Sequence, residues 1–212
     1  NIDTIEAQHS LNKIRKKSKQ SIHWHVDLKT TIEEFNQTLS QHTRRNTKWY
    51  PKKIKGDFGE YNIKHYKVSD ISDIVMNKFK YETHKSDYNK ISPQEYLKNY
   101  YVTDGYVLYI GDDIGAMGFS NITDKNIYLE NISYNQKFQK YSVGMVLYYY
   151  LIKEYINKHY DTMFLCSGTS EYKKRFNGIA TSTYSGKVIR KSAYIKKISK
   201  KFWNLITKVL AN

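Results

Sequence analysis

Alternating and helical patterns of apolar residues divide the middle of the chain into a regular order of elements. Residues 61–67 alternate and predict a strand, and two helical patterns follow, over residues 70–85 and from Ser92 to about Tyr101. Ser69 and Ser92 are placed as the N-caps of these helices. Three strands with short turns between them come next and predict an antiparallel meander. These strands cover residues 106–110, 114–121 and 127–134.

A long apolar helical pattern over residues 142–158 follows the third strand through a short polar connection. A strand at 161–166 comes next, and the helix before it predicts that this strand pairs in parallel. A short helix at 170–178 and a last strand at 180–190 complete the order. This order of strands and helices predicts an α/β (α+β) domain with a mixed, mostly antiparallel sheet flanked by helices.

Basic segments lie on both sides of this predicted domain. Residues 1–60 are expected to form a basic, helical N-terminal segment, in which a helix from Thr30 continues to Tyr50 and Pro51 ends it. Residues 191–212 place apolar residues on one face and lysines on the other, which predicts an amphipathic helix. That helix either contacts an anionic membrane or packs on the domain or on a partner.

The net charge of +15 is concentrated in two tracts without acidic residues, 36–55 and 172–212. Such tracts suit a phosphate-bearing ligand, tRNA or an anionic membrane surface, and solvated helix faces are the alternative. Cys166 has no partner for a disulfide and follows an apolar run, so it is interpreted as a buried residue in a reducing compartment. We expect a cytoplasmic protein, with peripheral membrane contact through residues 191–212 left open.

No metal site is expected, because His23 and His25 have no carboxylate or cysteine at a ligand spacing beside them. Candidate chemistry instead centres on the connection before the long helix. A strand that opens directly into a helix leaves amide groups without partners at the positive end of the helix dipole, and such a place attracts anions. A connection that binds nothing is the alternative.

This connection resembles the acyl-donor site of the GNAT acyltransferase superfamily, whose pattern is Gln/Arg-x-x-Gly-x-Gly/Ala. Gln139 and Gly144 match its ends, and Ser142 stands where the first glycine is expected. The order of predicted strands and helices is also that of the GNAT fold. The resemblance therefore implies a GNAT acyltransferase domain over residues 61–190.

Residues after the parallel strand narrow the resemblance to the FemAB-like branch, which includes the CelD-like proteins of exopolysaccharide gene clusters. That branch has Gly-x-x-x-Tyr-Lys-x-Arg-Phe-Gly at this place. The run IEEFNQTLSQHTRRNTKW also resembles the segment that precedes the domain in this branch, so residues 1–60 are a candidate remnant of a preceding GNAT-like half. The matching residues are Gly168, Tyr172, Lys173, Arg175 and Phe176, closed by Asn177 and Gly178.

The resemblance implies transfer of an acyl group, most simply acetyl, from acyl-CoA to an amine, without a metal. An amino sugar or another cell-envelope or polysaccharide precursor is the implied acceptor. The pantetheine arm of CoA is assigned to residues 132–134 and the diphosphate to the loop that follows. The cofactor-binding candidates are Ile132, Ser133, Tyr134, Gln139, Lys140, Tyr141, Ser142, Val143 and Gly144.

Catalytic roles are assigned to three side chains by the same resemblance. Glu130 is the candidate general base, or else a strand glutamate paired with a lysine. His84 either faces the acceptor or interacts with a helix C-terminus. Tyr172 is a candidate proton donor to the leaving thiolate. Lys173 and Arg175 either position an anionic acceptor or are solvated.

Two further hypotheses follow. Relatives in the peptidoglycan-bridge branch use aminoacyl-tRNA in place of CoA, and the basic tracts would suit an RNA backbone. Because Ser142 departs from the pattern, a degenerate fold that acts as a binding or scaffold protein is the non-enzymatic alternative. The oligomeric state is not predicted.

Overall fold

The computed structural model describes residues 19–82, 91–167 and 171–185, which form seven strands and six α-helices. The strands are β1 (Lys19–Asp27), β2 (Tyr61–Lys67), β3 (Asp104–Ile110), β4 (Asp113–Thr123), β5 (Asn126–Tyr134), β6 (Thr162–Ser167) and β7 (Ile179–Ser185). The helices are α1 (Ile32–Thr38), α2 (Gln41–Phe58), α3 (Asp73–Glu82), α4 (Pro93–Asn99), α5 (Val143–Asn157) and α6 (Glu171–Arg175). Short 3₁₀ segments cover Val68–Asp70 and Gln136–Tyr141.

All seven strands belong to one sheet with the order β2-β3-β4-β5-β6-β1-β7. The strands from β2 to β5 pair antiparallel with their neighbours, which confirms the predicted meander. β5 and β6 pair in parallel, because α5 carries the chain back to the same end of the sheet between them. The structure thus confirms the predicted mixed, mostly antiparallel sheet flanked by helices.

Both faces of the sheet are covered by apolar clusters. Leu108 of β3 joins the larger cluster, which also contains the buried side of α5. The next residue towards the N-terminus, Val107, points to the opposite face and joins the smaller cluster with Phe79 of α3 and Tyr96 of α4. Burial on both faces fixes the register, since a slip by one residue would turn every apolar side chain to the wrong face.

The N-terminal helical region differs from the prediction of one helix that ends at Pro51. The helix breaks before Ser40, whose hydroxyl accepts a hydrogen bond from the Thr43 amide (3.2 Å) and caps α2. α2 then continues through Pro51 as far as Phe58. A proline inside a helix costs about 3 kcal/mol. Burial of Ile54 and ring contacts of Phe58 beyond the proline offset that cost.

β1 departs from the helical prediction for residues 1–60. Trp24 and Val26 are buried while His23 and Asp27 are exposed, an alternation that suits a strand. β1 lies between β6 and β7 in the sheet and pairs antiparallel with β6. The neighbouring basic run obscures this period of two in the sequence.

The caps of the two helices before β3 differ in how well the sequence predicts them. α3 begins three residues later than predicted, at Asp73. Its first turn is capped by Ser72 in place of Ser69, because the Ser72 hydroxyl accepts a hydrogen bond from the Val75 amide (3.3 Å). α4 begins as predicted, with a capping box formed by Ser92 and Glu95.

Several predictions lie outside the described residues: those on residues 1–18, on His84, on Gly168 and on the helix at 191–212.

Contacts group residues 22–181 into one compact unit and place residues 19–21 and 182–185 in another. In the second unit the hydroxyls of Ser21 and Thr183 are hydrogen-bonded (2.9 Å). The predicted domain boundaries remain predictions. Among the helices described, none is long and apolar enough to cross a bilayer.

A buried carboxylate, Asp104, joins the start of β3 to β2. Its side chain is 1% exposed and accepts hydrogen bonds from Lys67 Nζ (2.7 Å), His65 Nε2 (2.6 Å) and Thr103 Oγ1 (2.7 Å). Burial raises the pKa of Asp104, but the bonds from Lys67, Thr103 and His65 outweigh burial and hold the pKa below its ordinary value. The ionised form is therefore stabilised by folding.

We expect Asp104→Asn to lower the free energy of unfolding by about 2 kcal/mol at neutral pH, because a neutral amide loses the charge-assisted hydrogen bonds. Since the pKa of Asp104 is lower in the folded state, its contribution is complete above the unfolded pKa and is lost as pH falls through the folded pKa. The variant should therefore lose less stability on acidification. Urea denaturation at neutral and acidic pH measures both effects.

Asp113→Asn is the matched control. Lys137 also lowers the pKa of Asp113, but this carboxylate is 37% exposed, so its loss should cost less than about 1 kcal/mol. Equal destabilisation by the two substitutions would contradict the importance of the buried cluster.

Candidate functional site

β5 and β6 pair over only part of their length. The registered pairs end at Tyr128 and Phe164, whereas β5 continues along β4 to Tyr134. The register between β4 and β5 shifts beside this point, which makes Glu130 the extra residue of a β-bulge. A bulge bends and twists its strand. The segment 132–134 therefore lies beyond the part of β5 that is in register with β6.

The end of β5 lies directly against the start of α5. A Cβ atom placed on Gly144 would lie 3.4 Å from Tyr134 Cδ1 and 3.8 Å from Ile132 Cγ2. Ser133 points to the opposite face, where its hydroxyl is fully buried and has no hydrogen-bond partner in the described part of the chain. The predicted pantetheine segment and the predicted diphosphate loop are thus adjacent.

Asn135 fixes the chain where it leaves β5. Its amide donates to Gly115 O (2.8 Å), and its side-chain Nδ2 donates to Ile114 O (3.2 Å). Its Oδ1 accepts a hydrogen bond from the Lys137 amide (3.0 Å) and so caps the 3₁₀ segment that follows. The sequence prediction omitted this residue, although an asparagine at the end of a strand is a common cap.

Ser142 turns the chain from the 3₁₀ segment into α5. Its φ of 47° and ψ of 42° lie in the left-handed region, which glycine adopts without the steric cost of a Cβ atom. Its side chain makes no capping hydrogen bond to α5. The glycine that the GNAT pattern has at this position is therefore explained by backbone conformation.

Two amides at the start of α5 have no internal acceptor. The Ser142 amide donates to Gln139 O (3.0 Å), and the Met145 amide donates to Ser142 O (2.8 Å). Within residues 19–82, 91–167 and 171–185, no acceptor is found for the amides of Val143 and Gly144. These two amides lie at the positive end of the helix dipole, so they are the part of the predicted loop suited to an anion.

The ammonium groups of two lysines lie near the ring of Tyr141, the residue before Ser142. Its buried ring is fixed by a hydrogen bond from its hydroxyl to Asp57 Oδ2 (2.7 Å) and by an edge contact with Phe58 (5.1 Å). Lys140 Nζ and Lys53 Nζ lie 5.0 Å and 5.3 Å from the ring centroid. Lys53 belongs to α2, and the sequence alone does not place it here.

The predicted residues of α6 pack against the first turns of α5. The ring of Tyr172 meets that of Tyr148 edge-on (5.2 Å), and Arg175 NH1 lies 3.9 Å from Met145 Sδ. Arg175 is exposed, whereas Lys173 is only 2% exposed. The alternative that Lys173 is a solvated surface lysine is therefore wrong.

The structure thus brings the predicted donor residues and Arg175 to the start of α5. Glu130 is half-buried on the same strand, before the segment 132–134. His84 lies outside the described residues. The catalytic and binding roles of these residues remain predictions.

A comparison of the sequence with models of known protein families supports the fold described above. Residues 103–174, about a third of the chain, match the model of an acetyltransferase (GNAT) domain. This range contains β3 to β6, the loop and α5. The predicted GNAT fold is thus confirmed, and the match supports the prediction of an acyltransferase. The curated proteins contain no significant match.

Solved structures with the same fold have very different sequences. The C-terminal domain of a protein described as a lysylphosphatidylglycerol synthetase from Agrobacterium fabrum is 13% identical, with a TM-score of 0.57 over 79% of this chain and 60% of that one. L-PGS from Bacillus licheniformis is 14% identical, with a TM-score of 0.60 over 85% and 64%. FemX is 7% identical, with a TM-score of 0.60 over 85% and 67%. The chain thus spans less than two thirds of the first two structures.

We expect Ser142→Gly to raise the free energy of unfolding by about 1 kcal/mol, because it removes the Cβ penalty of the left-handed conformation. Urea denaturation measures the gain. Ser142→Ala is the control, since it removes the hydroxyl and keeps the Cβ, and it should give no comparable gain. An equal gain in both variants would contradict a backbone origin.

Proposed function

We propose that the chain transfers an acyl group, most simply acetyl, from acyl-CoA to an amine. The observation that carries this proposal is the pair of amides of Val143 and Gly144, which have no acceptor among the described residues. They closely follow Tyr141, whose ring lies beside the ammonium groups of Lys53 and Lys140. A thioester donor that carries a diphosphate has the anionic group that such a helix start can bind. Residues 132–134 would bind the pantetheine arm.

Charge complementarity supports CoA as the donor. Neither Lys53 nor Lys140 forms an ion pair with a carboxylate in the part of the chain that the structure describes. The only acidic residue of α2, Asp57, accepts the hydrogen bond from Tyr141. Positive charge at the start of α5 is therefore not neutralised by these neighbours.

The chemistry assigned to the site is direct transfer. The amine nitrogen attacks the thioester carbonyl carbon while Glu130 takes the proton that the nitrogen loses. The C–S bond then breaks, the amide product leaves, and Tyr172 supplies a proton to the thiolate of CoA. Alignment of the two substrates in a proposed opening between β5 and β6, beside residues 132–134, would provide the main rate enhancement.

The acceptor is proposed to be an amino sugar or another precursor of the cell envelope, as the FemAB-like and CelD-like resemblance implies. An acceptor that also bears a negative charge would find Arg175 at the start of α5. The exposed Arg175, rather than the buried Lys173, is the side chain suited to such a contact.

Glu130→Gln should lower turnover about 100-fold or more, because the amide cannot accept the proton from the amine. Binding of acetyl-CoA should not change, since Glu130 is assigned no contact with the donor. Release of the CoA thiol measures turnover, and titration calorimetry measures binding. Glu154→Gln is the control, because Glu154 pairs with Lys158 at the other end of α5. Unchanged turnover in Glu130→Gln would remove this residue from the mechanism.

Transfer of an aminoacyl group from tRNA is a second candidate, favoured by the exposed face of α2. Five cationic residues of this helix are exposed: Arg44, Arg45, Lys48, Lys52 and Lys55. A helix with such a face can follow an RNA backbone. The proposed opening would then receive the aminoacyl ester at the 3′ end of tRNA.

Thiol release from acetyl-CoA without tRNA separates the two candidates. The first candidate predicts release that depends on the amine and persists after nuclease treatment. The second predicts tRNA binding whose affinity falls steeply with salt, and aminoacyl transfer without acetyl-CoA turnover. If neither donor supports transfer, the non-enzymatic alternative stands and the acyl-transfer proposal is contradicted.

A further inference from the structure

A cluster of two lysines and two aromatic rings extends from the start of α5 onto α2. Lys53 Nζ lies 4.8 Å from the ring centroid of Trp49 and 5.3 Å from that of Tyr141. Lys140 Nζ lies 5.0 Å from the Tyr141 ring. Tyr141 directly precedes Ser142, so the cluster extends from the chain segment that leads into α5 to Trp49 on α2.

Trp49 is not a core residue. Its side chain is 46% exposed, although tryptophan is usually well buried in a folded protein. Within the described residues its ring contacts are with Tyr50, edge-on at 4.9 Å, and with the ammonium of Lys53. A large exposed ring with a cation beside it is a surface on which a planar aromatic ligand can stack.

The other end of the cluster is held in a fixed geometry. Tyr141 is 2% exposed, its hydroxyl donates to Asp57, and its ring contacts Phe58. Asp57 and Phe58 belong to the same helix as Lys53 and Trp49. The distance between the amides of Val143 and Gly144 and the exposed ring is therefore set by the packing of α2 on the loop.

We propose that this cluster binds the nucleotide end of the donor: the purine base stacks on Trp49, and the phosphates contact Lys53 and Lys140. This inference rests on the proposed function and extends it, because α2 lies outside the residues that match the acetyltransferase model. An adenosine phosphate has the required chemistry, a planar base joined to anionic groups. CoA is the occupant favoured by the amide pair, and the 3′ end of tRNA shares the same chemistry.

Binding of two donor fragments tests this assignment with the full chain. Calorimetry compares CoA with 4′-phosphopantetheine, which lacks the nucleotide. Trp49→Ala and Lys53→Ala should each raise the Kd for CoA about fivefold or more, as expected for loss of a base stack or a phosphate contact. The Kd for 4′-phosphopantetheine should remain unchanged in Trp49→Ala.

Two control variants distinguish the cluster from general charge or folding effects. Trp49→Phe keeps an aromatic ring and should retain most of the affinity for CoA. Lys98→Ala removes an exposed cation of α4 that contacts neither ring among the described residues, and should leave the Kd nearly unchanged. Thermal melting checks that each variant folds.

The possible outcomes separate this inference from the proposed function. If wild-type protein binds CoA and Trp49→Ala binds it equally well, the nucleotide subsite is wrong while acyl transfer from CoA stands. If wild-type protein binds no CoA, both are overturned. If it binds tRNA instead, and Trp49→Ala weakens that binding, the assignment of CoA as the occupant is contradicted in favour of tRNA.

Discussion

The parting of β5 from β6 is the constraint on which the rest of the site depends. The two strands pair in parallel at the start of β5 and separate after Tyr128 and Phe164, beside the bulge at Glu130. β5 is followed by the 3₁₀ segment Gln136–Tyr141, and the left-handed turn at Ser142 leads from that segment into α5. The amides of Val143 and Gly144, which have no acceptor among the described residues, and the positive end of α5 lie directly after this departure.

α2 supports this place from outside the matched acetyltransferase region. Its C-terminal half supplies Asp57 and Phe58, which hold Tyr141, and also Lys53, which faces the same ring. Continuation of the helix through Pro51 is needed to bring these residues to the loop. The cost of a proline within the helix is thus linked to the geometry of the proposed donor site.

The sequence predicted what depends on short-range signals. The meander from β3 to β5 and the parallel β6 followed from turn residues, alternation and a crossover helix, and the structure confirms them. Contacts between residues that are far apart in the chain could not be predicted from the sequence. The approach of Lys53 to Tyr141 and the bulge at Glu130 depend on tertiary packing and strand register, which no local pattern encodes. The strand β1 was obscured by its basic neighbours, and Pro51 was assigned its usual helix-ending role although tertiary packing outweighs it.

Backbone amide chemical shifts during titration with CoA test the central claim most directly. If the start of α5 binds the diphosphate, the Val143 and Gly144 amide resonances should show among the largest changes, and pantetheine without phosphate should change them much less. Saturating CoA that shifts other resonances and leaves these two in place would contradict the account.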